Sequence, residues 1–294
     1  MTQGSSILVT GGTGKTGGAL ARRLAARGAN ARIVTSRADY AATGEAVLPL
    51  VYGDLRRPET LARAFDGVDR LFLVTPVGPD ETDVGMAAID SAEAAGIAKI
   101  VYVAIMALEA MADIPHFAAK VPLRRRLMAD GRHTVLEPNF FFQNDLMILD
   151  AIRYGGLYPM PVGGAGVQAV DVEDVAAAAE AALFADRWTG EGVPLAGPDL
   201  LTGPEMAGIW AEALGRPVAY PGDALDPWIE GMKQHMPLNP WLENDLRVMM
   251  DVTQRRGCPA TPQDRAATEA ILGRTPTAYR AFVERTIAQT ASAA

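Results

Sequence analysis

The residues whose types and spacing point most directly to chemistry are the glycines of Val9-Thr10-Gly11-Gly12-Thr13-Gly14-Lys15-Thr16-Gly17. Positions 12, 14 and 17 fit G-x-G-x-x-G, and positions 11, 14 and 17 fit the variant G-x-x-G-x-x-G. Such a loop lets the backbone approach a pyrophosphate, whose charge then faces the free amides at a helix start. The kinase-type loop G-x-x-x-x-G-K-T is excluded, because Gly14-Lys15-Thr16 would need glycine at position 9, which is Val9. The segment reads as a dinucleotide site in which Gly11, Thr13, Gly14, Lys15, Thr16 and Gly17 face the cofactor; a plain tight turn is the alternative.

The next apolar run, Ala31-Arg32-Ile33-Val34-Thr35, ends in Ser36-Arg37. An NAD site prefers Asp or Glu about 20 residues after the glycines, to accept from the ribose 2′-hydroxyl. No acid stands there, and Asp39 lies beyond the strand end. Arg37, with Ser36 and Lys15 near it, suits a 2′-phosphate through charge-assisted contacts. A solvated arginine is the plainer reading; NADP(H) is the expected cofactor.

Other candidates close later apolar runs. Asp54, in Gly53-Asp54-Leu55, either meets the adenine or caps a turn, and Thr75-Pro76 would pass along the cofactor's middle. In Glu137-Pro138-Asn139-Phe140-Phe141-Phe142, Asn139 and Phe140 are placed with the cofactor and Phe141 and Phe142 with a flat substrate; an aromatic plug in the core is the alternative. Trp228, Met232 and His235, with Met236 and Trp241 beyond, either line a pocket or pack helices. No metal site is expected.

These residues need a scaffold that alternates strand and helix. Strands are predicted at 7–10, 31–35, 47–52, 71–75, 99–104 and 133–137, with helices near 16–27, 58–65, 82–95 and 115–130. Pro58 and Pro115 sit where a first helical turn tolerates proline. Alternation at this spacing implies a parallel sheet covered on both faces, with ligands beyond the carboxyl ends of its strands. After the Gly/Pro-rich stretch 155–164, an alanine-rich helix begins at Asp171-Val172-Glu173-Asp174-Val175 and runs to about 184, followed by helices near 202–214, 240–256 and 276–289. The expected fold is α/β: a Rossmann doubly wound parallel sheet over 1–154 and a smaller, mostly helical substrate subdomain over 155–294, with segments of the second half completing the sheet.

The bulk numbers narrow the function class. A chain of 294 residues with 49% hydrophobic content can bury one large α/β core or a domain plus a subdomain. A net charge of −8 argues against a nucleic-acid partner, and Arg124-Arg125-Arg126 reads as a solvated helix face. The single cysteine, Cys258, excludes an internal disulfide framework. No stretch approaches the ~20 apolar residues of a membrane span, and the first residues lack a signal peptide's apolar core. The expectation is a cytoplasmic protein, monomer or homodimer, with a small-molecule substrate.

With these pieces in place, the chain resembles the NmrA-like branch of the atypical short-chain dehydrogenases/reductases over nearly its whole length. The resemblance rests on the glycine loop, Arg37, Val51-Tyr52-Gly53-Asp54, Pro115-His116-Phe117-Ala118-Ala119-Lys120, Thr134 through Asn144, Val170-Asp171-Val172-Glu173-Asp174-Val175-Ala176 and Leu195-Ala196-Gly197-Pro198-Asp199-Leu200-Leu201-Thr202. It implies NADP(H) bound to a Rossmann domain, with reductases of quinones, iminium alkaloids and cationic dyes in the branch beside cofactor-binding redox sensors. Members of the wider superfamily carry Tyr-x-x-x-Lys and a Ser after the fifth strand. This chain has His116-x-x-x-Lys120 and, in the serine region, Val103-Ala104-Ile105-Met106. The i,i+4 spacing keeps His116 and Lys120 on one helix face. By this resemblance Lys120 bonds the nicotinamide ribose, a surface lysine being the alternative, and His116 is either a proton donor or a structural residue. The expected activity is NADPH-dependent hydride transfer to a flat, electron-poor acceptor, quinone or iminium-type ahead of simple ketones; the alternative is an NADP(H) sensor without significant turnover.

Overall fold

The computed structural model describes residues 5–37 and 46–291, so Asp39 lies outside the described residues. The chain divides into two compact units, the first made of Met1–Ala112, His116–Pro138 and Val172–Pro194, the second of Asp113–Pro115, Asn139–Asp171 and Leu195–Ala294.

Apolar, β-branched runs build the sheet of the first unit: β1 (Ile7–Val9), β2 (Ala31–Thr35), β3 (Leu50–Tyr52), β4 (Arg70–Leu73), β5 (Lys99–Val103), β6 (Thr134–Pro138) and β7 (Gly192–Leu195). Their order is β3-β2-β1-β4-β5-β6-β7. The pairings from β3 through β6 are all parallel, with Val9 opposite Ile33 on one side and Phe72 on the other. The order reverses between β1 and β4, which makes that gap the topological switch point where doubly wound sheets bind ligands. The segment at β7 completes the sheet from the second half of the chain.

Helix α1 (Lys15–Ala26) follows the glycine loop and lies along α6 (Val172–Phe184). Arg22 pairs with Glu173 at 2.9 Å, Arg23 and Arg27 share Glu180, and Arg27 sits over the Phe184 ring at 4.1 Å. The short α2 (Leu61–Phe65) follows a 3₁₀ turn opened by Pro58. Helices α3 (Glu81–Ala94) and α4 (Pro115–Asp130) meet closely: Thr82 Oγ1 donates to the Ala119 carbonyl at 2.8 Å, and a Cβ on Gly85 would stand 2.4 Å from Leu123. Right-handed crossovers put α1 on one sheet face and α3 and α4 on the other, because β2 and β5 lie on opposite sides of β1 and β4.

The second unit holds α5 (Leu149–Arg153), α7 (Gly203–Leu214), α8 (Leu225–His235), α9 (Pro240–Arg256), α10 (Pro262–Leu272) and α11 (Tyr279–Ala291). Sequence periodicity missed α8 and α10. Helix α8 starts without a side-chain cap, whereas α10 is opened by a Thr261/Asp264 capping box. Trp210, Tyr158, Tyr279, Phe142, Phe282, Ile229 and Met250 form the core. Inside it Asp145 Oδ1 accepts from Tyr158 Oη at 2.9 Å, and Oδ2 accepts from Trp210 Nε1 at 3.2 Å and from Tyr279 Oη. Burial raises both phenols well above their ordinary pKa, so they remain donors to this carboxylate.

Candidate functional site

The glycine loop takes its shape from contacts that leave no space for side chains. Gly11 has φ +62, a Cβ on Gly12 would stand 2.5 Å from the Ile33 side chain, and one on Gly17 would stand 2.3 Å from the Gly11 carbonyl oxygen. A Cβ on Gly14 would meet its nearest neighbour, the same carbonyl, at 3.3 Å, and its φ is not positive. Protein packing therefore demands glycine at 11, 12 and 17 far more than at 14, where the missing side chain keeps the approach to α1 open. Gly14 is the N-cap of α1 and provides no side-chain cap, and no acid lies in the first turn. The positive end of the α1 dipole stands behind this helix start, a place that favours an anion. Lys15 is exposed, Thr13 half-buried and Thr16 buried.

At the end of β2, Ser36 and Arg37 are both exposed, and the Arg37 N–H donates to Thr35 Oγ1 at 3.0 Å. The next strand end carries Asp54, whose Oδ1 accepts from the Arg56 N–H at 3.0 Å while its own N–H donates to Thr60 Oγ1 at 2.9 Å. Of the two readings of Asp54, the turn cap is present.

Thr75 and Lys120 come together through a residue that sequence reasoning did not single out. Glu81 is fully buried at the start of α3, and its Oε1 accepts from Thr75 Oγ1 at 2.6 Å and from Lys120 Nζ. Lys120 is 5% exposed and also donates to Thr75 Oγ1 at 3.2 Å. An ammonium carries three donors, so one remains without an acceptor among the described residues. Tyr102, on β5, places its hydroxyl in the same buried region beside Thr75, and burial pushes its pKa up so that it stays a phenol. In the sequence Glu81 looks like an ordinary first-turn acid, and only the fold shows the ammonium it faces. His116, one turn before Lys120, is half-buried and edge-on to Phe117, with ring centroids 4.7 Å apart. Pro76 is half-buried beside Thr75.

The remaining predicted residues belong to the second unit. Asn139, expected at the cofactor, has its amide engaged locally: Nδ2 donates to the Cys258 carbonyl at 2.8 Å and Oδ1 accepts from the Phe140 N–H at 2.7 Å. Phe142, expected at the substrate, is a core residue at 2% exposure, with its ring 5.2 Å from Tyr279 and 5.5 Å from Phe282. Both side chains are thus engaged within the second unit. The strand-like bridge of Phe141 to Val170 turns residue 142 inward and pins the loop start. Phe140 and Phe141 are half-buried. Trp228 and Met232 line an apolar cavity of about 310 Å³ with Leu146, Met147, Ile148 and Pro159. The side chain of His235 lies outside the described residues. Burial raises the Cys258 thiol to about 11, which leaves it an unreactive neutral thiol at neutral pH.

Among the described residues no helix is long and apolar enough to cross a membrane, and no group of three or more His, Cys, Asp or Glu is placed to hold a metal ion.

Comparison with known proteins bears on this arrangement. The NAD(P)H azoreductase of Xenophilus azovorans is 34% identical over 229 residues, covering 75% of this chain and 78% of that protein. The (4-alkanoyl-5-oxo-2,5-dihydrofuran-3-yl)methyl phosphate reductase of Streptomyces griseus is 34% identical over 221 residues, covering 73% of this chain and 76% of that protein. The NADPH-dependent quinone oxidoreductase QOR2 of Escherichia coli, solved with NADPH, shares the fold with a TM-score of 0.82 at 19% identity, covering 96% of this chain and 99% of that one. The NmrA-like family model matches residues 3–243, and with it the glycine loop, the strand ends and the buried lysine fall into one pattern: the chain belongs to the NmrA-like family.

Proposed function

We propose that this protein is an NADPH-dependent reductase that transfers hydride to a flat, electron-poor small molecule, with quinone and iminium-type acceptors ahead of simple ketones. The observation that carries the reading is the start of α1: an uncapped, acid-free helix end reached by a loop whose glycines are sterically required at 11, 12 and 17 and serve open approach at 14. The relatives named for azo and acyl-dihydrofuranone reduction act on planar conjugated systems, which supports the same acceptor class.

The residues fit the cofactor. Main-chain amides of the glycine loop other than that of Gly14, with Thr13, Lys15 and Thr16, hold the pyrophosphate; Ser36 and Arg37 hold the 2′-phosphate; the third proton of the Lys120 ammonium serves the nicotinamide ribose hydroxyls. Asp54 and Pro76, at the ends of two strands, border the cofactor. When bound, the nicotinamide supplies the hydride. The protein's part is then proximity and orientation, which together can contribute ~7–11 kcal/mol. A ketone would also need its developing alkoxide protonated, and His116 is a candidate for that.

The test is NADPH oxidation across a panel of quinones, iminium salts, azo dyes and ketones, with wild type and His116→Ala. Turnover of quinones and iminium salts with slow or absent ketone reduction is expected. If His116 donates a proton, the variant slows quinone reduction by ~10²-fold or more and spares iminium reduction, whose product needs no proton on the reduced bond. Tight NADPH binding without turnover of any acceptor would replace this reading with a cofactor sensor.

A further inference from the structure

Asp145 and Glu81 are both buried carboxylates, and their surroundings differ in a way that separates structure from function. Asp145 is satisfied at both oxygens by three neutral donors. At Glu81 all contacts converge on Oε1, while Oε2 is buried with no hydrogen-bond partner. A buried charge left half-satisfied is costly, and natural structures keep such groups chiefly where they serve a task. Here Glu81 opens α3, and among the described residues its ion pair is with Lys120.

We propose that Glu81 is the positioning residue of the site: its carboxylate pairs with the Lys120 ammonium and holds it in place, so that its third N–H remains available to the cofactor. This rests on the reading that Lys120 serves the nicotinamide ribose. Without a counter-charge a buried ammonium gives up its proton more readily. Other groups bordering the pair do not replace Glu81. Tyr102, from β5, stays protonated. Thr75 offers a neutral hydroxyl. Along α4, His116 lies one turn before Lys120 and Arg124 one turn after, the latter bound to Glu137 at 2.6 Å. Arg56 and Asp80, beside Glu81, are bound to each other at 2.8 Å.

The experiment measures the NADPH dissociation constant, by cofactor fluorescence, from about pH 6 to about pH 9 in wild type, Lys120→Met, Glu81→Gln and the double variant, with thermal melting of each cofactor-free protein. In Glu81→Gln the affinity should fall relative to wild type by about fivefold between the two ends, because a buried ammonium left without its counter-charge gives up its proton within this range. Its melting temperature should move the opposite way, recovering toward wild type as pH rises, because deprotonation relieves the unpaired buried charge. The double variant, which retains His116 and every other titrating group, should bind weakly without the added slope. A Glu81→Gln curve parallel to wild type overturns the role of Glu81 while leaving that of Lys120 intact. Lys120→Met binding NADPH as tightly as wild type overturns the ribose reading and this inference with it. Should Glu81→Gln fail to fold, Glu81→Asp withdraws the carboxylate by one methylene; a loss of affinity of about threefold or more supports the proposal, and unchanged affinity overturns it.

Discussion

At His133 burial turns one imidazole into a sensor of the fold's integrity. The residue is 1% exposed, and its Nδ1 accepts the Ile100 N–H at 3.1 Å. Desolvation holds its pKa below the ordinary value, outweighing the pull of Asp130. The unfolded chain therefore takes up the proton first as the pH drops, so this residue's contribution to stability is intact above about pH 6.5 and is lost as the pH falls below it. Thermal melting from about pH 7.5 down to about pH 5 should show a decline that is shallower in His133→Asn, which keeps an acceptor near Nδ1; equal slopes would remove His133 as the cause. Arg37 poses the corresponding question for the cofactor. If it meets the 2′-phosphate, Arg37→Ala should weaken NADPH binding by roughly ten- to a hundred-fold, a charge-assisted contact of ~1.5–3 kcal/mol, and leave NADH nearly unchanged. Equal affinities for the two cofactors in wild type would end that assignment.

At the scale of the element, the entry to α1 is the most constrained piece of the chain. Gly17 is inside the helix, yet a methyl there would press on backbone, the Gly11 carbonyl oxygen at 2.3 Å and the Gly12 nitrogen at 2.8 Å, neither of which can swing aside. Gly17→Ala should cost about 1–3 kcal/mol of stability by overpacking and weaken NADPH binding by displacing the loop. Gly14→Ala, with 3.3 Å to its nearest neighbour, should leave the melting temperature within a few degrees while weakening the cofactor. Both are read from thermal melts and NADPH titrations. A Gly14→Ala protein that binds NADPH normally would mean the open approach at this position serves no ligand. The strand–loop–helix unit was legible in the sequence because its glycines, apolar strand and helical periodicity are local signals. Helix α8 was not, because Leu225–His235 presents its Trp and Met residues to other helices and starts without a side-chain cap.

Across the whole molecule, the order β3-β2-β1-β4-β5-β6-β7, with β7 arriving from the second half, came from the fold, while the amino-acid sequence alone determined a doubly wound parallel sheet, the place of the glycine loop, the arginine closing β2 and the lysine one turn beyond His116. These are consequences of spacing within a few dozen residues. What only the tertiary structure decided, besides that order, is which polar atoms meet. Glu81 and Lys120 are 39 residues apart and share a buried hydrogen bond that no periodicity encodes. The Asn139 amide meets the Cys258 carbonyl, 119 residues away. Phe142 went to the core because Tyr279 and Phe282, far along the chain, arrive to cover it. A side chain's type states what it can bond; long-range packing chooses the partner, since a buried polar group must find its hydrogen bond wherever the fold supplies one.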